Sequence, residues 1–189
     1  MNRGQPAGAA RGVLRALDHV ARGMAYVSGA IFLLISFYIT ADVIGRKFFH
    51  VSTAVSDEFG GYALAVGGMW ALAHALRTGA HVRIDILLPH LSPRLQALLN
   101  YAAMTLMALF AAAVTVYVWR LTLDSLAIDA RAMSFVRTPL VVPQGLMALG
   151  FTVLTLEAIA ILVVGIVESV RLGDLAPLEG TQAAEPAEL

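Results

Sequence analysis

Four long apolar runs restrict this chain to a membrane fold. They lack Asp, Glu, Lys and Arg except at Glu157, and they extend from Gly23 to Ala41, Phe59 to Leu76, Leu95 to Trp119 and Thr138 to Val167. About 20 helical residues cross a hydrocarbon core of about 30 Å. The sequence therefore predicts an all-α, polytopic membrane protein with four transmembrane helices, at about residues 23–44, 57–77, 93–119 and 139–170.

The composition supports this prediction and excludes several classes of function. Of the 189 residues, 59% are hydrophobic and only 14% are charged, and the mean hydropathy of +0.77 is too high for a soluble domain of this size. The absence of cysteine excludes disulfides, thiolate metal sites and cysteine nucleophiles. The formal net charge of zero gives no electrostatic basis for binding nucleic acid.

The charges in the connections predict the orientation of the chain. Residues 1–12 and 172–189 are expected to be flexible tails around one membrane domain, residues 13–171. Cationic residues stay on the cytoplasmic side in short loops. One side carries Arg3, Arg11, Arg15, Arg22, Arg77, Arg83, Arg94 and Arg171, and the other carries fewer, namely Arg46, Lys47, Arg120, Arg131 and Arg137. Both termini are therefore predicted to be cytoplasmic.

Two short segments are predicted to form amphipathic helices in the membrane interface. The first has apolar residues at helical spacing, namely Val13, Leu14, Leu17, Val20 and Ala21. The second is the segment from Val82 to Leu88, which is too short to cross a bilayer and which Pro89 ends. Ser92 and Thr138 are suitable N-caps before the prolines that open the third and fourth spans.

Two acid–base pairs have i, i+4 spacing, which brings both members to one face of a helix. His81 and Asp85 could belong to a metal or proton site, but two ligands are fewer than a structural zinc site requires. The favoured interpretation is therefore a pair that fixes the connection. For the second pair, Asp42 and Arg46, one alternative is that Arg46 recognises substrate. The favoured alternative is that the two residues form an ion pair that anchors the helix end.

Acidic groups at the start of the second span fit the positive end of the helix dipole. These groups are Asp57 and Glu58. The sequence fits equally well with their binding Arg46 or a partner chain. Small residues then recur along one face of the span, namely Gly61, Ala65, Gly68, Ala71 and Ala75. Such a stripe permits close helix packing in a bilayer. Packing within the chain is favoured over packing against another protein.

Glu157 is the one carboxyl group inside an apolar run. A charge near the middle of a membrane span costs several kcal/mol on most estimates, so this side chain is expected to face protein. The predicted hydrogen-bonding partners are hydroxyl groups of neighbouring spans, such as those of Ser36, Thr105, Thr115 and Tyr117. A structural role is favoured over contact with a partner subunit or a role in ion coupling.

The order of motifs from about Gly23 to Arg171 resembles the small membrane subunit of tripartite ATP-independent periplasmic (TRAP) transporters. The motifs are "DVIGRKFF", "SDEFGGYALAVGGMWALAHALRTGAHVRIDILLPHL", a third span, and a final span after "RTPLVVPQG". The residues that carry the resemblance best are Asp42, Arg46, Glu58, His81 and Asp85.

The resemblance implies a non-enzymatic subunit of a secondary transporter in the bacterial cytoplasmic (inner) membrane. In such systems a periplasmic substrate-binding protein captures an organic acid, and a large membrane subunit carries the substrate and sodium sites. The small subunit braces the large one and holds no cofactor or metal itself. The residues agree with this role, because no internal repeat or pair of broken helices, the usual signs of a transport site, is evident.

Two other classes of function fit the sequence less well. A haem-binding or electron-transfer membrane anchor needs axial histidines at matching depth, but only His74 of the five histidines lies within a span. A stand-alone exporter of small molecules is the weaker alternative. A transport assay on the chain expressed without partners would detect such an activity.

Overall fold

The computed structural model describes residues 5–51, 55–80 and 91–172, together with Leu175 and Leu178, and it describes side chains from residue 11 onward. These residues form four long helices, α1 (Gln5–Ile44), α2 (Ser56–Arg77), α3 (Pro93–Ala127) and α4 (Val141–Leu172), and one π-helical turn (Gly45–Phe49) that continues α1. All four helices are long and apolar enough to cross a membrane. The predicted all-α, four-span architecture is confirmed.

The helix ends follow local backbone chemistry. After α2, Gly79 has φ 70°, the Gly79 N–H donates to the Leu76 carbonyl and the Ala80 N–H donates to the Ala75 carbonyl. This is a Schellman motif, in which glycine takes the left-handed position at low cost. Ser92 is extended and Pro93 opens α3, as predicted, because proline lacks the N–H that a first helical residue leaves unbonded.

Helix α4 is the centre of the bundle. It packs against α1, α2 and α3, whereas α1 packs mainly on α2 and α3 packs mainly on α4. Its buried residues occupy a broad face, among them Ala148, Leu154, Ala158, Ile161 and Val164, while Leu149, Leu156 and Val163 on the remaining face are exposed. An apolar helix buried over a broad face is stabilised by close packing, since lipid offers no hydrophobic drive for association.

The helices meet α4 at different heights. We call the end where α1 stops and α2 starts the outer end, and the opposite end the inner end. The Trp70 indole N–H of α2 donates to the Leu146 carbonyl (2.7 Å), and α2 stops at Arg77, opposite the middle of α4. On α3, Tyr101 bonds Ser169 and Trp119 bonds Thr152. Helix α2 therefore covers only the outer half of α4.

Several expectations differ from the structure. The Ser92 side chain makes no capping hydrogen bond, and α4 begins at Val141, so Thr138 is not its N-cap and Pro139 does not open it. No separate interfacial helix precedes α1, because the first helix is continuous from Gln5, and residues of that segment pack in the core, with Leu14 and Ala21 fully buried. The N-terminal tail is helical from Gln5. Helix α3 continues past Trp119 to Ala127, because nothing in the sequence there disfavours helix. In the C-terminal tail, Leu178 is buried. The segment from Val82 to Leu88 lies outside the described residues.

Candidate functional site

A buried ionic cluster joins three helices at the level where α2 ends. Arg77 Nε of α2 lies 3.9 Å from Asp18 Oδ1 of α1 and 3.9 Å from Glu157 Oε1 of α4. The Glu157 side chain is completely buried, whereas Arg77 keeps contact with solvent over 21% of its side chain. Asp18 also accepts a hydrogen bond from Arg22 at 3.0 Å. The cluster therefore contains two carboxylates and two guanidinium groups, which balance in charge.

The position of Glu157 is as predicted, but its partner is not. The carboxyl group faces protein and lies against Arg77 rather than against the expected hydroxyl groups. Those hydroxyls bond elsewhere: Thr115 to Thr155, and Thr105 to the Tyr101 carbonyl. Ser36 likewise donates to the carbonyl of Phe32 on its own helix. Arg77 lies outside the second apolar run, so hydropathy alone did not suggest that it reaches the middle of α4.

A second group of polar side chains lies at the outer end. Arg46 donates a 2.7 Å hydrogen bond to Asp42, whose side chain is buried, while Arg46 stays 58% exposed. Nearby, the Tyr62 hydroxyl donates to Glu58 at 2.9 Å, and Ser134 and Thr138 of the α3–α4 connection lie beside the same carboxyl group. Glu58 thus contacts this connection and Tyr62, while Arg46 pairs with Asp42.

The small-residue stripe on α2 is open at both of its glycines. A Cβ atom placed on Gly61 or Gly68 would meet no described atom within 4 Å. The favoured expectation of packing within the chain is not met at these positions. Other glycines of the described helices do pack closely: an added Cβ would lie 3.0 Å from the Phe32 ring at Gly67 and 2.9 Å from Trp70 at Gly150, and at Gly165 it would meet Leu178 and Tyr101.

An apolar groove of about 500 Å³ lies between α1, α2 and α4 in their outer halves. Its wall includes Ile35 and Tyr38 of α1, Phe59 and Val66 of α2, and Leu146 of α4. The lining is almost wholly apolar, which suits an acyl chain or the side chains of a neighbouring helix. Sequence periodicity did not predict the groove, because it depends on how α1 and α2 diverge.

His81 and Asp85 lie outside the described residues. The remaining charged candidates lie at two levels of the bundle: Asp42, Arg46 and Glu58 at the outer end, and Glu157 at the middle of α4 in the cluster with Arg77. The contacts of these groups hold helices and connections together. The open glycines of α2 would permit close approach by another helix.

The fold and these sites define a multi-pass helical membrane protein. Residues 35–168 match the family described as "Tripartite ATP-independent periplasmic transporters, DctQ component". Because the match covers most of the chain, the protein belongs to this family and is the small component of a TRAP transporter, as the sequence motifs predicted. This is a family of transporter components, not of enzymes. No curated protein and no solved structure matched the chain.

Proposed function

We propose that this chain braces the large membrane subunit of its transporter during ion-gradient-driven uptake of an organic acid. The observation that carries the proposal is the open face of α2, where Gly61 and Gly68 permit close approach by a helix of another protein. The paired charges agree with this role, because Glu157 and Asp42 are both held by arginines of the same chain.

In this proposal the chain holds no cofactor or ion itself. The large membrane subunit carries the substrate and sodium sites, and a periplasmic binding protein delivers the substrate. The chain lies in the bacterial inner membrane with both termini cytoplasmic. The continuity of α1, α2, α3 and α4 supports this division of labour, because transport sites are usually built from broken helices.

Reconstitution tests the proposal directly. Proteoliposomes would contain the large subunit, this chain or both, with the binding protein and a panel of labelled mono- and dicarboxylates outside and a sodium gradient imposed. We expect uptake only when both membrane subunits are present, and its loss when the gradient is dissipated. Accumulation in vesicles that contain this chain alone would refute the proposal.

A matched pair of variants tests the proposed contact face. Gly61→Leu places a large side chain on the open face of α2, and Gly29→Leu places the same side chain on α1, at a second glycine whose Cβ would meet no described atom. We expect Gly61→Leu to fold but to lose co-purification with the large subunit in mild detergent, while Gly29→Leu retains it. Normal assembly of Gly61→Leu would remove this face of α2 from the interface.

A further inference from the structure

The connection between α3 and α4, residues 128–140, is folded into a fixed hairpin. Arg131 and Pro139 form an antiparallel bridge. The Ala132 N–H donates to the Thr138 carbonyl at 2.9 Å, and the Leu140 N–H donates to the Ala130 carbonyl at 3.0 Å. These two backbone hydrogen bonds hold the two sides of the hairpin together and so fix where its tip lies relative to the ends of α3 and α4.

The tip of this hairpin projects large apolar side chains away from the protein. Met133 is fully exposed, Phe135 is 88% exposed and Val136 is 46% exposed. Exposed apolar residues on α1 to α4 are explained by contact with lipid, but residues 132–136 belong to no span. Burying a side chain of this size contributes about 1.5–3 kcal/mol. A hairpin that exposes two of them would therefore be stabilised by an apolar environment around its tip.

The height of the hairpin is set by its contact with α2. Ser134 and Thr138 lie beside Glu58, which is in the first turn of α2. With 22 residues, α2 is about 33 Å long, which is close to the thickness of the hydrocarbon core. The start of α2 therefore lies at the edge of that core, and the hairpin lies at the same level rather than far above the membrane.

The apolar tip also joins exposed apolar residues at the ends of α3 and α4, which lie beyond the exposed Arg120 and Asp124 of α3. Leu126 and Ile128 at the end of α3 are 61% and 77% exposed, and Val142 at the start of α4 is 54% exposed. The hairpin stands between these residues in the chain. Exposed apolar side chains thus run from the end of α3 through the tip to the start of α4.

The charges on the hairpin suit the headgroup layer. Arg131 is neutralised by Asp129, with contacts of 3.1–3.3 Å. Arg137 is exposed, and within the described part of the chain no acidic group pairs with its guanidinium. One cation beside two apolar side chains matches the boundary between phosphate groups and acyl chains, where arginine and aromatic residues anchor membrane proteins.

We propose that this hairpin is a membrane anchor whose tip inserts Met133 and Phe135 among the phospholipids of the leaflet at the outer end, with Arg137 against their phosphate groups. The partner is the lipid surface itself. The inference depends on the membrane placement of the chain and not on its role as a brace, so either could fail without the other.

Site-directed fluorescence tests the anchor, and the native chain offers no competing thiol. Met133→Cys and Phe135→Cys would each be labelled with an environment-sensitive fluorophore in full-length protein in nanodiscs. The matched controls are Asp129→Cys, which is exposed in the same hairpin, and Leu64→Cys, which is exposed near the middle of α2. Quenchers would be nitroxide lipids, labelled near the ester or near the acyl terminus, and aqueous cobalt ions.

We expect labels at positions 133 and 135 to show blue-shifted emission, strong quenching by the shallow nitroxide and protection from cobalt. The label at position 129 should be quenched by cobalt, and that at 64 by the deep nitroxide. Cobalt quenching at 133 and 135 equal to that at 129 would overturn the proposal. Loss of lipid quenching when the partner subunits are co-reconstituted would also overturn it, because a protein would then cover the tip.

Discussion

Replacing Arg77 by leucine should be among the most destabilising single changes in this chain. The guanidinium lies 3.9 Å from both Asp18 and the fully buried Glu157. Unit charges about 4 Å apart attract by about 4 kcal/mol at an effective dielectric constant near 20. Removing one partner of a buried pair costs about 3–5 kcal/mol. Because Arg77 is partly exposed, we expect Arg77→Leu to lower the free energy of unfolding by about 3 kcal/mol.

The opposite deletion should cost less, because the residue left behind is better solvated. Glu157→Leu leaves Arg77 with Asp18 and with some access to solvent, so the expected loss is about 1 kcal/mol. The double variant Arg77→Leu/Glu157→Leu removes both buried charges and replaces them with apolar groups, which is often neutral. It should therefore be about 2 kcal/mol more stable than Arg77→Leu alone.

Reversible unfolding by SDS in mixed micelles, followed through the fluorescence of Trp70 and Trp119, measures these differences. Arg22→Leu is the control, because Arg22 pairs with the same Asp18 while its side chain is 52% exposed, and exposed pairs contribute at most about 1 kcal/mol. Two results would refute the reasoning: equal losses for Arg77→Leu and Arg22→Leu, or a double variant no more stable than Arg77→Leu.

Two further predictions concern packing, and the same unfolding assay measures both. Gly150→Ala should lose about 1–3 kcal/mol, because the new Cβ would lie 2.9 Å from the Trp70 ring. Gly61→Ala, in open space, should be neutral or gain up to about 1 kcal/mol from helix propensity, and equal losses for the two would contradict the packing described. Leu178→Ala should lose about 2 kcal/mol, because Leu178 is buried. The half-exposed Leu175 is its control, and no loss for Leu178→Ala would show that the segment does not pack.

The spans could be predicted from the sequence because hydropathy and helix ends are local properties. Pro93 and the Gly79 turn are visible as residue types, and α2 begins and ends within one residue of the predicted span. The end of α3 was predicted too early. A charge at Arg120 ends an apolar run, but it does not end a helix, since arginine is a good helix former.

The contacts between helices could not be predicted, because they depend on relative height. Glu157 was expected to meet hydroxyl groups of the first and third spans, because hydropathy does not give the position of one helix along another. In the structure α2 has 22 residues and α4 has 32, and α2 lies along the outer half of α4. The last residue of α2, Arg77, therefore lies beside the middle of α4. Leu14 is buried for the same reason, because α1 continues along α4 beyond the end of α2.

The distribution of ionisable groups connects this packing to the proposed role. Within the described spans, Asp42 and Glu157 are buried and each is held by an arginine of the chain. An ion-coupling carboxylate must be able to exchange its counter-charge, whereas Glu157 is held by Arg77 of another helix and joins α4 to α2, and Asp42 is held by Arg46 one turn further along the chain. Arg120 and Asp124, near the outer end of α3, differ from these buried pairs because their side chains are exposed. The charges of α1, α2 and α4 therefore favour a rigid subunit whose free surfaces, the small-residue face of α2 among them, serve assembly rather than conduction.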